Sequence, residues 1–301
     1  MRRALVYRLL VTLVLVLSLA SVALAEGPPH WTYEGKEGPE FWGSLSQDYA
    51  LCSTGKQQSP VDIPASAVTN PADLTFRYQP SKLNILNNGH TIQAAYDAGS
   101  SLVVDGVTYN LAQFHFHLPS EHTLTAKPYD MELHLVHQNA QGGLAVVGIM
   151  LKSGAENKAL APVFANAPKQ ETAVSTIANA MVNAADFLPA TRTYWRYNGS
   201  LTTPPCSEGV KWHVLTTPVE VSPAQIAAYK SLFTDDHRPV QPLNARSFLL
   251  ASQVAAAPQA MPTTGAAQPA SARDMLILLG LVCLSLGLGG YTIVRRRIRE
   301  N

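Results

Sequence analysis

Hydrophobic and polar residues alternate through much of the middle of the chain, which is the pattern of β-strands with one face in a core. Short β-rich runs at residues 83–86, 91–96 and 101–104 are separated by turn residues and predict a meander of strands. The run 144–151 is almost continuously apolar and predicts a strand buried on both faces. We therefore predict a mixed α/β, mostly β, single domain around a large, mainly antiparallel central sheet.

Helical signals are fewer. Residues 155–164 are one candidate helix. A second begins at Ser222, where a serine, a proline at the first helical position and Gln225 form a capping box, and it should run to about Phe233.

Both ends of the chain differ from this domain. Residues 1–25 contain three arginines, an apolar run and a small-residue site ending at Ala25, which is typical of a cleavable secretory signal. Residues 275–294 carry no charge and precede a basic tail at 295–301, so we predict a transmembrane helix with a cytoplasmic tail. The remaining domain is then 26–251, exported to the outer face of the membrane.

The segment 252–274 is rich in Ala, Pro and Thr and predicts a linker. It contains the sequence MPTTG at residues 261–265, which resembles the LPxTG sorting signal of bacterial cell-wall proteins except for Met261. The domain is therefore expected to be anchored by the membrane helix, or by the cell wall after a sortase has cut behind Thr264. The sequence does not indicate an oligomeric state.

Charge excludes one class of partner. The whole chain has a formal net charge of +1, but residues 26–272 hold 14 basic and 19 acidic side chains, a balance of −5. A nucleic-acid-binding domain needs a basic surface, so we expect no nucleic-acid partner.

The chain has three cysteines. Cys283 lies in the predicted membrane segment, which leaves Cys52 and Cys206 in the exported domain. Two thiols in an exported protein are expected to form a disulfide.

Candidate chemistry lies on two predicted strands. Alternation places Gln113, His115 and His117 on one face of the first, and Glu132 and His134 on one face of the second. Three imidazoles on neighbouring strands are a ligand set for Zn²⁺ that leaves the fourth position to water, as in catalytic zinc sites. Gln113 and Glu132 are suited to hold the second ring nitrogen of a ligand histidine.

These motifs resemble the α-class carbonic anhydrases. The resemblance covers roughly residues 30–250 and is densest at QFHFH (113–117), SEH (120–122) and ELHLVH (132–137). Further matches are HWTY (30–33), QSPVDI (58–63), NNGH (87–90), GSLTTPP (199–205) and LNAR (243–246). It implies that the chain is a zinc lyase that interconverts CO₂ and bicarbonate by attack of a zinc-bound hydroxide.

The resemblance also implies roles for individual residues. Thr202 would orient the nucleophile and donate its proton to Glu121, and Thr203 would contact the substrate. His90 would carry the released proton to solvent. The apolar wall for CO₂ would consist of Val136, Val146, Leu201, Val210 and Trp212. Tyr33, Asn88 and Gln93 would be polar residues that order water in the pocket.

Two other functions stay open at this point. The same fold could act as a binding or adhesion module without catalysis, and zinc content would separate this from an enzyme. A zinc hydrolase acting on esters is the other alternative, because a metal hydroxide also attacks acyl carbonyls. A comparison of CO₂ and ester turnover would separate these two.

Overall fold

Most of the strands belong to one extended sheet of thirteen strands, and the other three form a small separate sheet. The computed structural model describes residues 29–64, 68–69 and 74–252, and within them it has sixteen strands. The strands are β1 (Asp62–Ile63), β2 (Val68–Thr69), β3 (Leu74–Arg77), β4 (Ser81–Asn87), β5 (Ile92–Ala95), β6 (Ser101–Val104), β7 (Val107–His117), β8 (Thr123–Leu124), β9 (Lys127–Pro128), β10 (Met131–Gln138), β11 (Leu144–Ser153), β12 (Ser175–Val182), β13 (Thr193–Ser200), β14 (Glu208–Leu215), β15 (Val219–Val221) and β16 (Leu249–Ser252).

Helices are short and lie outside the sheet. They are α1 (Trp42–Leu45), α2 (Leu51–Thr54), α3 (Ala161–Ala165) and α4 (Pro223–Lys230), with 3₁₀ turns at Gly35–Glu37, Gln47–Tyr49 and Ala184–Phe187. The predicted capping box begins α4: the Ser222 hydroxyl accepts the Gln225 N–H at 3.2 Å, and the Gln225 side chain accepts the Ser222 N–H at 2.9 Å.

The main sheet runs in the order β12-β4-β5-β7-β10-β11-β14-β13-β16-β2. Strands β3 and β6 extend it beside β7, and β15 pairs with β11. Most of its pairs are antiparallel, whereas β11 is parallel to β14 and β15, and β16 is parallel to β2. The prediction of a mostly β domain on one large, mainly antiparallel sheet is confirmed, and parallel pairs near its middle make the sheet mixed.

The two faces of the central strands bury different kinds of side chain. Phe114 and Phe116 of β7 and Leu133 and Leu135 of β10 are fully buried in the larger hydrophobic cluster. The opposite face of these strands carries His115, His117 and His134. Strand β11 is buried from Ala145 to Leu151, which confirms the prediction of a strand covered on both faces.

The prediction of a helix over residues 155–164 is wrong. Only Ala161–Ala165 is helical, because the preceding segment gives its N–H groups to side chains instead of to its own carbonyls. Asn157 N–H donates to Gln225 Oε1 at 2.9 Å, and Leu160 N–H donates to Asn157 Oδ1 at 3.0 Å. Ala155 N–H likewise donates to Glu220 Oε2 at 3.1 Å.

The predicted disulfide is confirmed: Cys52 of α2 is bonded to Cys206 beyond β13, with the two Cα atoms 5.0 Å apart. In the part of the chain that the structure describes, no helix has the length and hydropathy needed to cross a bilayer. The predicted signal (1–25), most of the linker (252–274), the membrane segment (275–294) and the tail (295–301) lie outside the described residues.

Candidate metal and active site

Three histidines meet on the polar face of β7 and β10. The two strands are antiparallel, with His115 opposite His134 and His117 opposite Glu132, so the register sets all three rings side by side. Their ring centroids are 5.1, 5.2 and 4.7 Å apart for the pairs 115–117, 115–134 and 117–134. One ligand nitrogen from each lies within 4.8 Å of the other two. The strand pairing therefore brings together the three residues that the sequence marks as metal ligands.

The second nitrogen of each ring already lies close to an oxygen atom. Nδ1 of His115 lies 2.8 Å from Gln113 Oε1, and Nδ1 of His117 lies 2.7 Å from the main-chain oxygen of Asp236. Nε2 of His134 lies 3.0 Å from Glu132 Oε1. These acceptors leave Nε2 of His115, Nε2 of His117 and Nδ1 of His134 as the nitrogens free for a common ligand.

This donor set fits zinc. Three neutral imidazole nitrogens suit Zn²⁺ and leave one tetrahedral position open. Burial lowers the pKa of His115 and His134 and lowers that of His117 to about 4, so all three are neutral near pH 7. Nε2 of His117 is buried and has no hydrogen-bond partner among the described residues. A buried unpaired nitrogen is costly in an empty pocket, but a metal ion would use it.

The fully buried carboxylate of Glu132 contacts two histidines. It accepts from the N–H of His122 and lies 2.8 Å from His122 Nδ1, in addition to its contact with His134. Burial alone would raise the pKa of Glu132, but the His122 and His134 rings outweigh it and hold the pKa well below its usual range. The carboxylate therefore stays charged and fixes the orientation of His134.

Glu121 lies beneath the histidines, 3.5 Å from His117 Nε2. Its Oε1 accepts the main-chain N–H of Arg238 at 3.0 Å. Burial raises the pKa of Glu121, whereas His134, this N–H group and the Thr202 hydroxyl lower it. Thr202 thus interacts with the carboxylate, although no hydrogen bond of standard geometry reaches Oε2 within the described residues.

The loop that carries Thr202 and Thr203 is held from outside the cavity. Cys206 N–H donates to the Thr203 carbonyl at 2.8 Å, and the disulfide ties Cys206 to Cys52. The Gln58 side chain donates to the Cys206 carbonyl at 3.0 Å. Covalent and polar links therefore fix the position of both threonines.

A cavity of about 150 Å³ opens above the histidines. Its apolar lining includes Val136, Val146, Leu201 and Trp212, all of which the sequence analysis assigned to a substrate wall. Val210 is not among the lining residues; it is buried in the hydrophobic cluster that also contains Val146 and Trp212. The polar lining includes Tyr33, Asn88, His90, Gln93, Gln113, Thr202 and Thr203.

His90 sits at the rim of this cavity, half-buried. Its ring stacks on Trp31 with centroids 3.7 Å apart and planes 9° from parallel. Its main-chain N–H donates to Asn88 Oδ1 at 3.0 Å, which shapes the turn before β5. Burial lowers the pKa of His90, the nearby His30 lowers it further, and Glu171 opposes the shift.

Sequence reasoning missed several residues of the site. Asp236 and Arg238 hold His117 and Glu121 from a segment more than 110 residues away, and no local pattern indicates such contacts. Trp31 was seen only as part of a motif, although its aromatic neighbours in the sequence could have indicated a stacking partner for His90.

Comparisons with known proteins agree with the site. The sequence profile of the family described as "Eukaryotic-type carbonic anhydrase" matches residues 37–251. The chain is 46% identical over 222 residues to a carbonic anhydrase of a Nostoc species, covering 72% of this chain and 84% of that protein. It is 45% identical over 235 residues to a carbonic anhydrase of Klebsiella pneumoniae, covering 77% of this chain and 95% of that protein.

A solved structure of a carbonic anhydrase has the same fold. The α-carbonic anhydrase of Thermovibrio ammonificans, in complex with the inhibitor sulfanilamide, superposes with a TM-score of 0.72 at 43% identity. The match covers 74% of this chain and all of that one.

Proposed function

This chain belongs to the eukaryotic-type carbonic anhydrase family, and from that premise we propose how its own residues carry out the family's reaction with one zinc ion. The protein is a carbonic anhydrase that catalyses the reversible hydration of CO₂ to bicarbonate and a proton. We assign zinc to His115, His117 and His134, the nucleophile's orientation to Thr202 and Glu121, and proton transfer to His90.

One observation carries the zinc assignment. Three imidazole nitrogens converge while the other nitrogen of each ring faces an acceptor, so only the converging nitrogens are left for a ligand. Zinc held by these three histidines would lower the pKa of a bound water to about 7, for which carbonic anhydrase is itself the standard example.

Glu121 and Thr202 act as an orienting pair. Because the buried carboxylate accepts from the Arg238 N–H and interacts with the Thr202 hydroxyl, Thr202 Oγ1 is left to accept a hydrogen bond from its other neighbour. It therefore favours a nucleophile or ligand that can donate a hydrogen bond at that position, and it disfavours one that cannot.

The apolar wall binds the substrate. CO₂ has no charge and no hydrogen-bond donor, so a surface of Val136, Val146, Leu201 and Trp212 holds it close to the histidines without competing for the metal. Thr203, which lines the same cavity, is the polar contact for the substrate oxygen.

His90 takes the proton out of the cavity. A histidine whose pKa lies below the usual value gives up its proton readily at neutral pH, and the ring lies at the rim where buffer can reach it. Tyr33, Asn88 and Gln93 line the cavity beside it and can order the water molecules between.

A histidine variant tests the zinc assignment. His117→Ala removes one of three ligands and should abolish stoichiometric zinc binding and CO₂ hydration together. The matched control is His30→Ala, because His30 is exposed, and within the described residues its hydrogen bond is with Glu37 and its ring contact is with His90. Metal analysis of both purified variants gives the readout: full zinc content in His117→Ala would refute the assignment.

We also propose that the domain works outside the cytoplasm, attached to the cell envelope through residues 252–301. The disulfide supports this, since such bonds persist in oxidising compartments. Mass spectrometry of the C-terminus from cell envelopes should find a chain that ends at Thr264, if a sortase cuts it, or that continues through residues 275–294. Recovery of the chain with an intact N-terminal segment from the cytoplasm would oppose the proposal.

A further inference from the structure

A buried tyrosine outside the cavity ties down the strand end that carries His117. Tyr229 lies on α4 and is 1% exposed. Its hydroxyl lies 2.9 Å from the Phe116 carbonyl oxygen and 3.0 Å from Thr91 Oγ1, and it forms a short hydrogen bond with Asp236 Oδ2. Tyr229 is not among the residues that line the cavity, so it has no contact with substrate.

Asp236 links Tyr229 to His117. Its main-chain oxygen is the acceptor for Nδ1 of His117 at 2.7 Å, and its Oδ1 accepts the Leu118 N–H at 2.6 Å. Tyr229 and Asp236 together therefore hold the three consecutive residues 116–118. The position of the His117 ring depends on where Asp236 lies, and the carboxyl of Asp236 is fixed by Tyr229.

Thr91 closes the cluster on the other side. Its hydroxyl donates to the Phe116 carbonyl at 2.7 Å, and Thr91 Oγ1 in turn accepts the Phe116 N–H at 3.3 Å. Thr91 follows His90 directly, so the cluster joins the turn of His90 to the strand of His117. Thr91 is 6% exposed and Asp236 is 1% exposed, which keeps water from replacing these bonds.

We propose that Tyr229 is a positioning residue for the metal centre, acting through Asp236 and the Phe116 carbonyl to hold His117 in the orientation that binds zinc. Loss of its hydroxyl leaves Asp236 Oδ2 without this donor, so Asp236 can shift and take with it the acceptor of His117 Nδ1. The inference depends on the proposed zinc site and extends it to a helix outside the cavity.

A purely structural role predicts something different. Any buried tyrosine that loses its hydroxyl destabilises the fold, so a lower melting temperature alone does not support a role at the metal. Tyr96 is the matched control. It is also buried, and its hydroxyl accepts the Ala184 N–H at 2.8 Å and donates to the Gln79 carbonyl at 2.7 Å, away from residues 116–118.

The test measures zinc release from the full domain into a chromogenic chelator for wild type, Tyr229→Phe and Tyr96→Phe. We expect similar falls in melting temperature for both variants and a faster release only in Tyr229→Phe, by about tenfold, as for loss of other groups that orient metal ligands. Equal release rates for the two variants would overturn the proposal.

A second variant covers the case in which Tyr229→Phe does not fold. Thr91→Val keeps the shape of the side chain and removes its bond to the Phe116 carbonyl, and it should speed zinc release about threefold, as for the loss of one neutral hydrogen bond. A wild-type release rate in Thr91→Val would then overturn the proposal. If the wild-type chain binds no zinc at all, the proposed zinc site itself fails, and the inference fails with it.

Discussion

At the residue scale, the nine histidines of the chain differ by what surrounds them. His115, His117 and His134 could be singled out from sequence because strand alternation alone predicts that they share a face. Their acceptors divide into two kinds. Gln113 and Glu132 stand two residues before His115 and His134 and follow from the same alternation, whereas Asp236 lies 119 residues from His117 and depends on tertiary folding.

His90→Ala should lower the CO₂ hydration rate in dilute buffer on the order of 100-fold, the low end of the effect of a positioned acid–base group, because the proton then leaves only through water. Added imidazole should restore the rate, and stopped-flow assays with a pH indicator would measure both. An unchanged rate in dilute buffer would rule out the proposed role.

At the element scale, the two faces of β14 lie in different surroundings. Trp212 faces the cavity, while its neighbour His213 points into the opposite side of the sheet and is 1% exposed. This burial excludes a surface position for His213. The strands could be predicted because alternation is a local signal. Residues 155–160 of the predicted helix are not helical, because their partners, Gln225 and Glu220, are distant in sequence.

Burial of His213 should make the free energy of unfolding depend on pH. Burial, helped by Arg196, His137 and Lys211 and opposed by Asp105, lowers its pKa to about 3. The unfolded chain, with a histidine pKa near 6.5, therefore binds a proton that the folded chain does not as the pH falls from 6.5 towards 3. Stability should fall over this range, by about 2 kcal/mol from this residue between pH 7 and pH 5.

The variant His213→Leu removes this proton uptake. Denaturant titrations should show that its unfolding free energy falls by about 2 kcal/mol less than that of wild type between pH 7 and pH 5. Between pH 7 and pH 8 the two curves should run parallel, since the histidine is neutral in both states there. Parallel curves down to pH 5 would show that His213 does not behave as a neutral buried residue.

At the scale of the whole molecule, the candidate site lies on the middle strands of a long sheet, and the surrounding loops are bonded to those strands. The sheet order and the sites of Asp236 and Arg238 could not be read from the sequence, because they depend on which distant segments meet. Pairing of Cys52 and Cys206 could be predicted, because Cys283, the third cysteine, lies outside the predicted domain. The link spans 154 residues and joins the N-terminal helices to the loop of Thr202.

Removal of this link should destabilise the domain. Cys52→Ser with Cys206→Ser should lower the unfolding free energy by about 2–5 kcal/mol, since the unfolded chain regains the freedom that the cross-link removes. Thermal unfolding with and without reductant would measure the effect: the wild type should become less stable in reductant and the double variant should not. Equal stability of wild type and variant under oxidising conditions would contradict the expectation.

The most direct test of the account is zinc analysis of the purified domain coupled to a CO₂ hydration assay, before and after chelation. We predict one zinc per chain, loss of hydration when the metal is removed from a domain that stays folded, and recovery when zinc is added back. A folded domain that binds no zinc, or one that hydrates CO₂ equally well without it, would contradict the account.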